Sequence, residues 1–526
     1  MNATRERPRP RPAARRRWAT RLRRASQIVA LALFLYLFLT AISPPPTAGL
    51  PVDLFLRLDP LLGLGTSLAA RQASTYILWT LPLLVGAALA GRFFCGWLCP
   101  LGTTLELIGP RKARRKGVRP VVERLRTGKY VVLALVLGSA LLTSAVLLLL
   151  DPLSLLLRTT AAALYPFFNV LFTAVQMNMY DAGIAPDLWV WLDTAWRGNI
   201  LPLGEPVYRM AWLFLGLFVL MIAANWLAPR FWCRYLCPLG ALLGLLGRFA
   251  LVQRRLSPAC NGCGRCVAEC KMGAIDRETH ATSPGECVLC LRCQAVCPRG
   301  AISYGPAPLA AHHDPSRRQV LLGLAGGVAT AGALKLGGAV AAPDPLLLRP
   351  PLTSADFLAK CVRCGQCLKV CPTSGLQPSL FESGLEGLWS PVLVPRQGYC
   401  EYSCTACGQV CPTGAIPAFE LTAKHRHVIG IAVVDETRCL PYSQDTPCIV
   451  CQEMCPLPEK AIDLNERVVT GADGQSTVLR EPVVRSEACI GCGLCEYHCP
   501  LPGQTAITVQ AAWAVPRGQH RRGRQP

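Results

Sequence analysis

The spacing of the cysteine residues constrains this 526-residue chain more than any other feature. All 28 cysteines belong to one of two patterns, which are six sets of four and two Cys-x-x-x-Cys-Pro pairs. The six sets are Cys260, Cys263, Cys266 and Cys270; Cys287, Cys290, Cys293 and Cys297; Cys361, Cys364, Cys367 and Cys371; Cys400, Cys404, Cys407 and Cys411; Cys439, Cys448, Cys451 and Cys455; and Cys489, Cys492, Cys495 and Cys499. Four sets have the spacing C-x2-C-x2-C-x3-C, in which three thiolates bind one iron–sulfur cluster and the fourth binds a neighbouring one. The sequence therefore predicts six [4Fe–4S] clusters, bound in pairs by these 24 cysteines.

Zinc sites and disulfide frameworks are the structural alternatives for closely spaced cysteines. Zinc ribbons use two separated C-x2-C knuckles instead of a dense triplet followed by a fourth thiolate. Disulfide frameworks belong to small secreted domains. Neither alternative explains six repeats. In five of the six sets the last cysteine is also followed by proline, which blocks a continuing helix and ends the ligand turn.

Hydropathy indicates that part of the chain lies in a membrane. The sequence is 52% hydrophobic, with a mean hydropathy of +0.33. Apolar runs cover residues 28–42, 74–90, 130–150 and 210–228, and a fifth run with fewer large side chains covers 320–342. With their weakly polar flanks these runs reach the roughly 20 residues that cross a bilayer. We therefore predict four membrane helices and a fifth signal or anchor helix.

The positions of the basic residues predict the orientation in the membrane. The formal net charge is +22, with ten arginines in the first 24 residues and nine basic residues in 111–129, but only two in 151–208. By the positive-inside rule, the N-terminus and 111–129 are cytoplasmic, whereas 44–73 and 151–208 face the other side. The basic excess is thus a property of membrane topology, and we predict no binding to nucleic acid.

The two Cys-x-x-x-Cys-Pro pairs lie in near-duplicate segments at 92–102 and 230–240, which indicates an internal duplication. The pairs are Cys95 with Cys99 and Cys233 with Cys237. Their spacing would place both sulfurs of a pair on one helical face if the helix continues through it. Two interpretations stay open: a thiol or metal relay near the membrane surface, and a motif that ends and packs the helices.

These motifs resemble two families of bacterial ferredoxin-type proteins. Residues from about 25 to 305, with the two cysteine pairs followed by the cysteines of 260–297, resemble NapH. Residues 316–511, which begin Ser-Arg-Arg-Gln-Val-Leu and continue with four cysteine sets, resemble NapG and the related MauM of methylamine utilisation. The resemblance implies a NapH–NapG fusion that relays electrons from the quinol pool to a periplasmic reductase or cytochrome subunit.

The resemblance leaves other roles open. The chain would be either a component of a quinol dehydrogenase or an electron carrier. The alternative function is electron donation for assembly, either metal reduction for an oxidase or maturation of methylamine dehydrogenase. All seven histidines lie outside the four main apolar runs and no Cys-x-x-Cys-His occurs, so we predict neither intramembrane haem b nor covalent haem c.

A twin-arginine segment precedes the fifth apolar run. Ser316, Arg317 and Arg318 followed by a Gly/Ala-rich stretch are typical of a signal for export of folded proteins. A domain with assembled clusters needs such a route, because it folds before it crosses. The segment 339–341 is a candidate cleavage site, but we favour retention as a fifth anchor.

The predicted fold class is mixed, with an α-helical membrane domain and α+β bacterial-ferredoxin-like modules. The predicted domains are a basic cytoplasmic N-terminus at 1–24, a NapH-like four-helix membrane domain at 25–250, a cytoplasmic two-cluster module at 251–305, the signal-like or anchor helix at 316–342, a periplasmic four-cluster module at 355–511 and a basic tail at 512–526. This places the protein in the cytoplasmic membrane with its N-terminus inside.

Several details complete the predicted sites. With the usual exchange, Cys297 completes the first triplet and Cys270 completes the second. For the four later sets the exchange joins either adjacent sets or the first with the fourth. Arg363, between two ligands, is interpreted as a docking or solvating charge. A quinol pocket is guessed near Arg92, Arg230 and Asn225.

Overall fold

The computed structural model of the protein describes residues 13–42, 49–73, 76–109, 125–198, 200–202, 205–306, 317–340, 354–380, 384–470 and 476–511. The chain forms two compact units, each assembled from separate segments. The first unit comprises Met1–Phe38, Leu54–Leu156 and Leu215–Ala331. The second comprises Leu39–Asp53, Leu157–Phe214 and Gly332–Pro526.

Helices dominate the part of the chain before the first cysteine set. The α-helices there are Ala13–Thr40, Leu54–Arg57, Pro60–Ala70, Ile77–Ala90, Phe93–Trp97, Pro100–Ile108, Gly128–Leu141, Pro152–Thr159, Tyr165–Asp181, Pro186–Trp196, Ala211–Ala223, Phe231–Tyr235 and Pro238–Gly247. Short 3-10 turns at Leu125–Thr127, Val146–Leu150 and Ala224–Trp226 and a π-turn at Thr160–Leu164 extend them. Many of these helices expose large apolar side chains. A water-soluble protein rarely leaves such contiguous surface open.

Helices cover each predicted apolar run, although most are short. By length and composition, two of the described helices could cross a membrane, Trp18–Thr40 and Pro152–Asp181. The second and fourth predicted spans correspond to Ile77–Ala90 and Ala211–Trp226, which are shorter apolar helices. The four-helix membrane domain therefore stays a prediction.

The helical run Pro152–Asp181 was not expected. It lies in the segment 151–208, which we predicted to be a loop on the outer side because it contains only two basic residues. The π-turn Thr160–Leu164 lets the helix continue into Tyr165–Asp181, so that Pro166 stands at the start of the second half. Proline is tolerated there because the first turn of a helix needs no N–H from it.

The helix Arg317–Val340 packs against the helix Gly128–Leu141 at glycine residues. A side chain at Gly327 would collide with the backbone of Leu135, and one at Gly138 would collide with Leu324. The helix therefore approaches Gly128–Leu141 backbone to backbone, as small residues permit between membrane helices. Arg317 and Arg318 begin this helix, whereas Ser316 and the last residue of the candidate cleavage site lie outside the described residues.

The ferredoxin-type module of the first unit is framed by two antiparallel strands. Val252–Leu256 pairs with Ile302–Pro306, so the chain enters and leaves the module side by side. Between them lie the helices Arg265–Glu269 and Arg292–Val296 and the 3-10 turn Pro284–Glu286. These elements hold the first two cysteine sets in a small α+β unit, as predicted.

The second unit repeats this plan with additions. Ile431–Val434 pairs with Ile507–Gln510 and encloses the last two cysteine sets, which are separated by the hairpin Ile462–Thr470 with Ser476–Val484. Leu376–Pro378 pairs with Pro391–Leu393 between the third and fourth sets. The α-helices that follow residue 340 in this unit are Ser354–Lys360, Gln366–Val370, Ala406–Gln409, Leu421–His425, Leu440–Ser443, Val450–Glu453 and Leu494–Tyr497.

Candidate iron–sulfur centres

Cysteines of the third and fourth sets line one cavity. Three of its cysteines, Cys361, Cys364 and Cys367, come from the third set, and the other, Cys411, is the last cysteine of the fourth. The remaining walls are mostly apolar, and Phe357 and Trp389 are among them. Three thiols from one set and one from its neighbour are the combination that paired cubane clusters need.

Cysteines of the fifth and sixth sets line a second cavity in the same way. Cys439, Cys448 and Cys451 line it together with Cys499, the last cysteine of the sixth set. Both cavities therefore join adjacent sets, and neither nests the third set with the sixth. The long interval after Cys439 folds into the helix Leu440–Ser443, and Cys439 itself is buried.

The first two sets also share a core. Cys266 and Cys293 pack with Ile275 and Ile302, and the last cysteines of both sets, Cys270 and Cys297, lie against this group. The two sets are thus interleaved, as the predicted exchange requires.

The cysteines fit a multi-iron cluster better than a single ion. Across the described ranges, no three side chains of His, Cys, Asp or Glu converge closely enough to hold one metal ion. In each of the two cavities the thiols come from two different sets, in the three-plus-one combination that paired cubane clusters need. Tetrahedral zinc needs four ligands within about 2.3 Å of one point.

The turn that carries a cysteine triplet requires left-handed backbone at two positions. In the four strict sets these positions are Gly262 and Gly264, Leu289 and Leu291, Arg363 and Gly365, and Gly491 and Gly493, with φ between 48° and 85°. Glycine adopts this conformation without steric cost, whereas a side chain makes it unfavourable. The backbone of Leu289, Leu291 and Arg363 is therefore strained, and we looked for contacts of these side chains that compensate for the strain.

For Arg363 the reason is visible, and it corrects the predicted docking role. The side chain is 2% exposed. Its guanidinium donates to the carbonyls of Leu388 at 3.0 Å, Cys361 at 2.6 Å and Glu386 at 2.7 Å. Arg363 is neither a docking nor a solvating charge, because it ties the ligand turn to the segment 386–388.

The Cys-x-x-x-Cys-Pro pairs end one helix and begin the next. Cys95 and Cys233 lie in the short helices Phe93–Trp97 and Phe231–Tyr235, which stop before the second cysteine. Cys99 and Cys237 cap the following helices, and each sulfur accepts a backbone N–H, from Gly102 at 3.3 Å and Gly240 at 3.2 Å. The helix does not continue through the pair, so the spacing argument for one shared face is wrong. All four thiols are buried.

The two duplicated segments hold each other reciprocally. Arg92 of the first donates to the carbonyl of Cys233 at 3.1 Å, and Arg230 of the second donates to the carbonyl of Cys95 at 3.1 Å. Both guanidinium groups are buried and carry a carboxylate partner. Neither guanidinium group reaches solvent, and both already have partners. They are therefore not free to bind a quinol ring in the pocket that we guessed near them.

Two buried glutamates organise these cations, and sequence reasoning missed both. Glu106 contacts Arg23 at 3.1 Å, Arg230 at 2.7 Å, Lys271 at 3.0 Å and Arg292 at 3.1 Å. Burial raises the pKa of Glu106, but the surrounding cations outweigh burial and hold that pKa well below its usual value. A lone carboxylate in the apolar helix Pro100–Ile108 was the available signal.

Glu286 makes the equivalent contacts beside the second cysteine set. It pairs with Arg92 at 3.0 Å and with Lys129, and Tyr130 donates to it at 3.3 Å. Glu106 and Glu286 thus connect the helices, the duplicated segments and the two-cluster module of the first unit through ion pairs.

Segments before the first cysteine set also hold the third set in the second unit. Lys369 donates to the carbonyl of Ala41 at 3.1 Å, and Tyr208 donates to the carbonyl of Leu368 at 2.9 Å. Arg158 donates to the carbonyl of Arg363 at 3.0 Å and stacks 4.5 Å from the ring centre of Trp389. The segments 39–53 and 157–214 are therefore structural parts of the later module.

Comparison with known proteins identifies iron–sulfur domains in the first unit. A family model described as a 4Fe-4S binding domain matches residues 73–117 and 210–258, which include both cysteine pairs. A model described as a 4Fe-4S dicluster domain matches residues 259–306. No solved structure matches the chain.

Several curated proteins are similar to the chain. The methylamine utilization ferredoxin-type protein MauM of Methylorubrum extorquens is 38% identical over 229 residues, which cover 40% of this chain and 96% of that protein. The ferredoxin-type protein NapG of Escherichia coli is 38% identical over 190 residues, or 35% of this chain and 80% of that protein. Protein NirI of Paracoccus denitrificans is 30% identical over 254 residues, or 44% of this chain and 30% of NirI.

Proposed function

The chain belongs to the family of ferredoxin-type iron–sulfur electron-transfer proteins that includes MauM and NapG, and from this premise we propose that it relays electrons from the membrane quinol pool to a periplasmic reductase. The proposal treats residues 25–305 as a NapH-like part fused to the NapG/MauM-like part. The matches of the 4Fe-4S models to 73–117, 210–258 and 259–306 support an iron–sulfur role for that first part.

We assign six [4Fe–4S] clusters to the 24 cysteines, with exchange between adjacent sets. The assigned ligand groups are Cys260, Cys263, Cys266 and Cys297; Cys287, Cys290, Cys293 and Cys270; Cys361, Cys364, Cys367 and Cys411; Cys400, Cys404, Cys407 and Cys371; Cys439, Cys448, Cys451 and Cys499; and Cys489, Cys492, Cys495 and Cys455. The two cavities with three cysteines of one set and one of the next are the observation that carries this proposal.

When bound, the clusters supply one-electron oxidation and reduction. The chain's own residues provide the ligands, the spacing and the dielectric surroundings. Apolar side chains such as Phe357 and Ile416 keep water from the first cavity. The backbone N–H of Cys400 donates to the carbonyl of Cys492 at 2.8 Å, which brings the fourth and sixth sets together. The four later sets thereby form one continuous series, as a relay requires.

We further propose that the protein is anchored in the cytoplasmic membrane with its N-terminus inside and residues 355–511 in the periplasm. The apolar helix Trp18–Thr40 supports anchoring. The segments 39–53 and 157–214, which the positive-inside rule assigns largely to the outer side, belong to the same compact unit as residues 332–526. The glycine contacts of Arg317–Val340 favour its retention as an anchor.

A second candidate function is electron supply during methylamine utilisation. The similarity to MauM over 96% of that protein's length favours it. The two functions share the same clusters and differ in the acceptor. Reconstitution with candidate acceptors would separate them, since only the physiological partner should oxidise the reduced chain at a high rate.

Anaerobic purification followed by iron analysis and electron paramagnetic resonance tests the leading proposal. About 24 irons per chain are expected from six cubane clusters. Addition of a quinol analogue should produce the signal of reduced clusters. The variant Cys411→Ser should lose signal from one cluster, whereas Thr413→Ser, two residues away, should not. A full iron content without any reduction by quinol would contradict the quinol-dependent relay.

A further inference from the structure

An open apolar pocket lies beside the two-cluster module of the first unit. Its lining includes Phe93, Trp97, Val252, Leu289, Leu291 and Tyr304. These residues come from the short helix Phe93–Trp97, the turn of the second cysteine set and both strands of the module. None of them is a proposed cluster ligand, so the site described so far gives the pocket no role.

The turn that forms one wall of this pocket contains two strained leucines. Leu289 and Leu291 have φ of 48° and 59°, at the positions where the first and sixth sets have glycine. Side chains are disfavoured in this conformation, and such strain is a mark of functional sites. Unlike Arg363, these side chains make no polar contact that would account for them. Their contribution is apolar surface facing the pocket.

The pocket also touches a proposed cluster ligand through a tyrosine. The hydroxyl of Tyr304 lies 3.1 Å from the sulfur of Cys293. Tyr304 stands opposite Arg254 in the strand pair. A ligand ring in the pocket would therefore be separated from the sulfur by the Tyr304 side chain, whose hydroxyl is directed to Cys293 and not into the apolar pocket.

A smaller polar cavity of about 300 Å³ adjoins the first and shares Val252 and Leu289 with it. Arg254 and Cys287 line it. Arg254 is 9% exposed, and in the described part of the chain its Nε has no hydrogen-bond partner. A buried donor of this kind favours an acceptor oxygen on the ligand.

Exposed apolar side chains lie near two lining residues in the chain. Leu89 precedes Ala90, Phe249 and Leu251 precede Val252, and all three are about half exposed or more. The N–H of Leu251 donates to the carbonyl of Ala88 at 3.3 Å, so this apolar surface lies at the end of the helix Ile77–Ala90, where the predicted span would leave the bilayer. A ligand that partitions into the membrane would reach the pocket without crossing water.

We propose that this pocket binds the ring of a 1,4-hydroquinone with an apolar tail, an inference that rests on the proposed quinol-dependent function. Oxidation of the hydroquinone to the quinone releases two electrons and two protons. One electron would pass to each of the two clusters assigned to the 260–297 cysteines, and the protons would leave through the open side of the pocket. The leucines, Trp97 and the aromatic ring of Tyr304 would enclose the ligand ring.

Photoaffinity labelling of the full chain in lipid nanodiscs tests the pocket without relying on turnover. An azido-quinone should label peptides that contain Phe93, Trp97 or Tyr304, as mapped by mass spectrometry. The variants Leu289→Gly and Leu291→Gly should lower this labelling about tenfold or more while iron content stays constant. Val252→Trp should block it, and Val468→Trp, on an exposed strand of the second unit, is the matched control.

Three results would overturn the inference. If quinol reduces the clusters of the wild-type chain but the azido-quinone labels a different region, the proposed pocket is wrong and the proposed function stands. Equal labelling by an azido-alkyl lipid without a ring would make the pocket a lipid site. If the wild-type chain neither binds the azido-quinone nor is reduced by quinol, both the proposed pocket and the proposed function are wrong.

Discussion

The two units stabilise their cysteine sets in different ways. In the first unit, the buried carboxylates Glu106 and Glu286 collect cations from the helices, the duplicated segments and the module. In the second unit, buried cations direct donors to backbone carbonyls beside the cysteines, as Arg363 does to three carbonyls and Lys424 to those of Glu401 and Tyr402.

This difference predicts how far each unit depends on its metal. The ion pairs of the first unit involve no cysteine side chain and persist without iron. In the second unit the ligand turns fold around the cavities that the thiols line. Metal binding in such small modules is coupled to folding. The first unit should therefore keep its helices without clusters, whereas the second should lose its fold.

Removal of iron should have the largest effect and tests this contrast directly. After anaerobic chelation, hydrogen exchange should become fast throughout 391–510, because the ligand turns lose the atoms around which they are folded. Protection should persist in Gly128–Leu141 and Pro238–Gly247. Hydrogen-exchange mass spectrometry resolves the two regions in one sample, and equal loss of protection in both would contradict the proposed difference.

Loss of the central carboxylate of the first unit should have the next largest effect. Glu106→Gln leaves Arg23 and Arg230 buried with an uncharged partner, which typically costs about 3–5 kcal/mol. Thermal unfolding of the purified chain should show a markedly lower transition for the first unit. Glu466→Gln is the matched control, because its ion pair with Arg480 is more than half exposed. Equal stability of the two variants would show that the Glu106 cluster is dispensable.

The contrast between the units also shows what sequence can and cannot predict. Cysteine spacing predicted the α+β modules, because ligand geometry fixes local chain direction. Hydropathy predicted helices at five runs but missed Pro152–Asp181, since Arg158 and Pro166 interrupt its apolar sequence. Arg158 is buried against Trp389 and Arg363, and only the tertiary structure supplies those partners.

Long-range ion pairs could not be predicted from the sequence either. Glu106 and Lys271 are 165 residues apart, and Arg92 and Glu286 are 194 apart. No local pattern connects such residues. The adjacent pairing of the later sets was likewise undecided from spacing alone, because both arrangements satisfy the same cysteine intervals, and the lining of the two cavities distinguishes them.

A smaller effect is expected at the strained turn position of the second unit. Arg363→Ala removes the hydrogen bonds to three carbonyls, and we expect a total loss of about 1.5–3 kcal/mol in the free energy of unfolding. Arg363→Gly loses the same bonds but relieves the left-handed strain, which is roughly 1–2 kcal/mol. Both variants should unfold at lower temperature than the wild type, with Gly the less affected. An alanine variant as stable as wild type would show that the carbonyl contacts contribute nothing.

The same turn position in the first unit should show the smallest effect on stability. Leu289 is only partly buried, so truncation to glycine loses about 1–2 kcal/mol of apolar burial. Relief of its φ of 48° returns a similar amount. Thermal unfolding of Leu289→Gly should therefore nearly match that of the wild type, in contrast to Arg363→Gly. If Leu289→Gly proved strongly destabilising, the leucine would be a packing residue, and its strain would no longer point to a ligand in the neighbouring pocket.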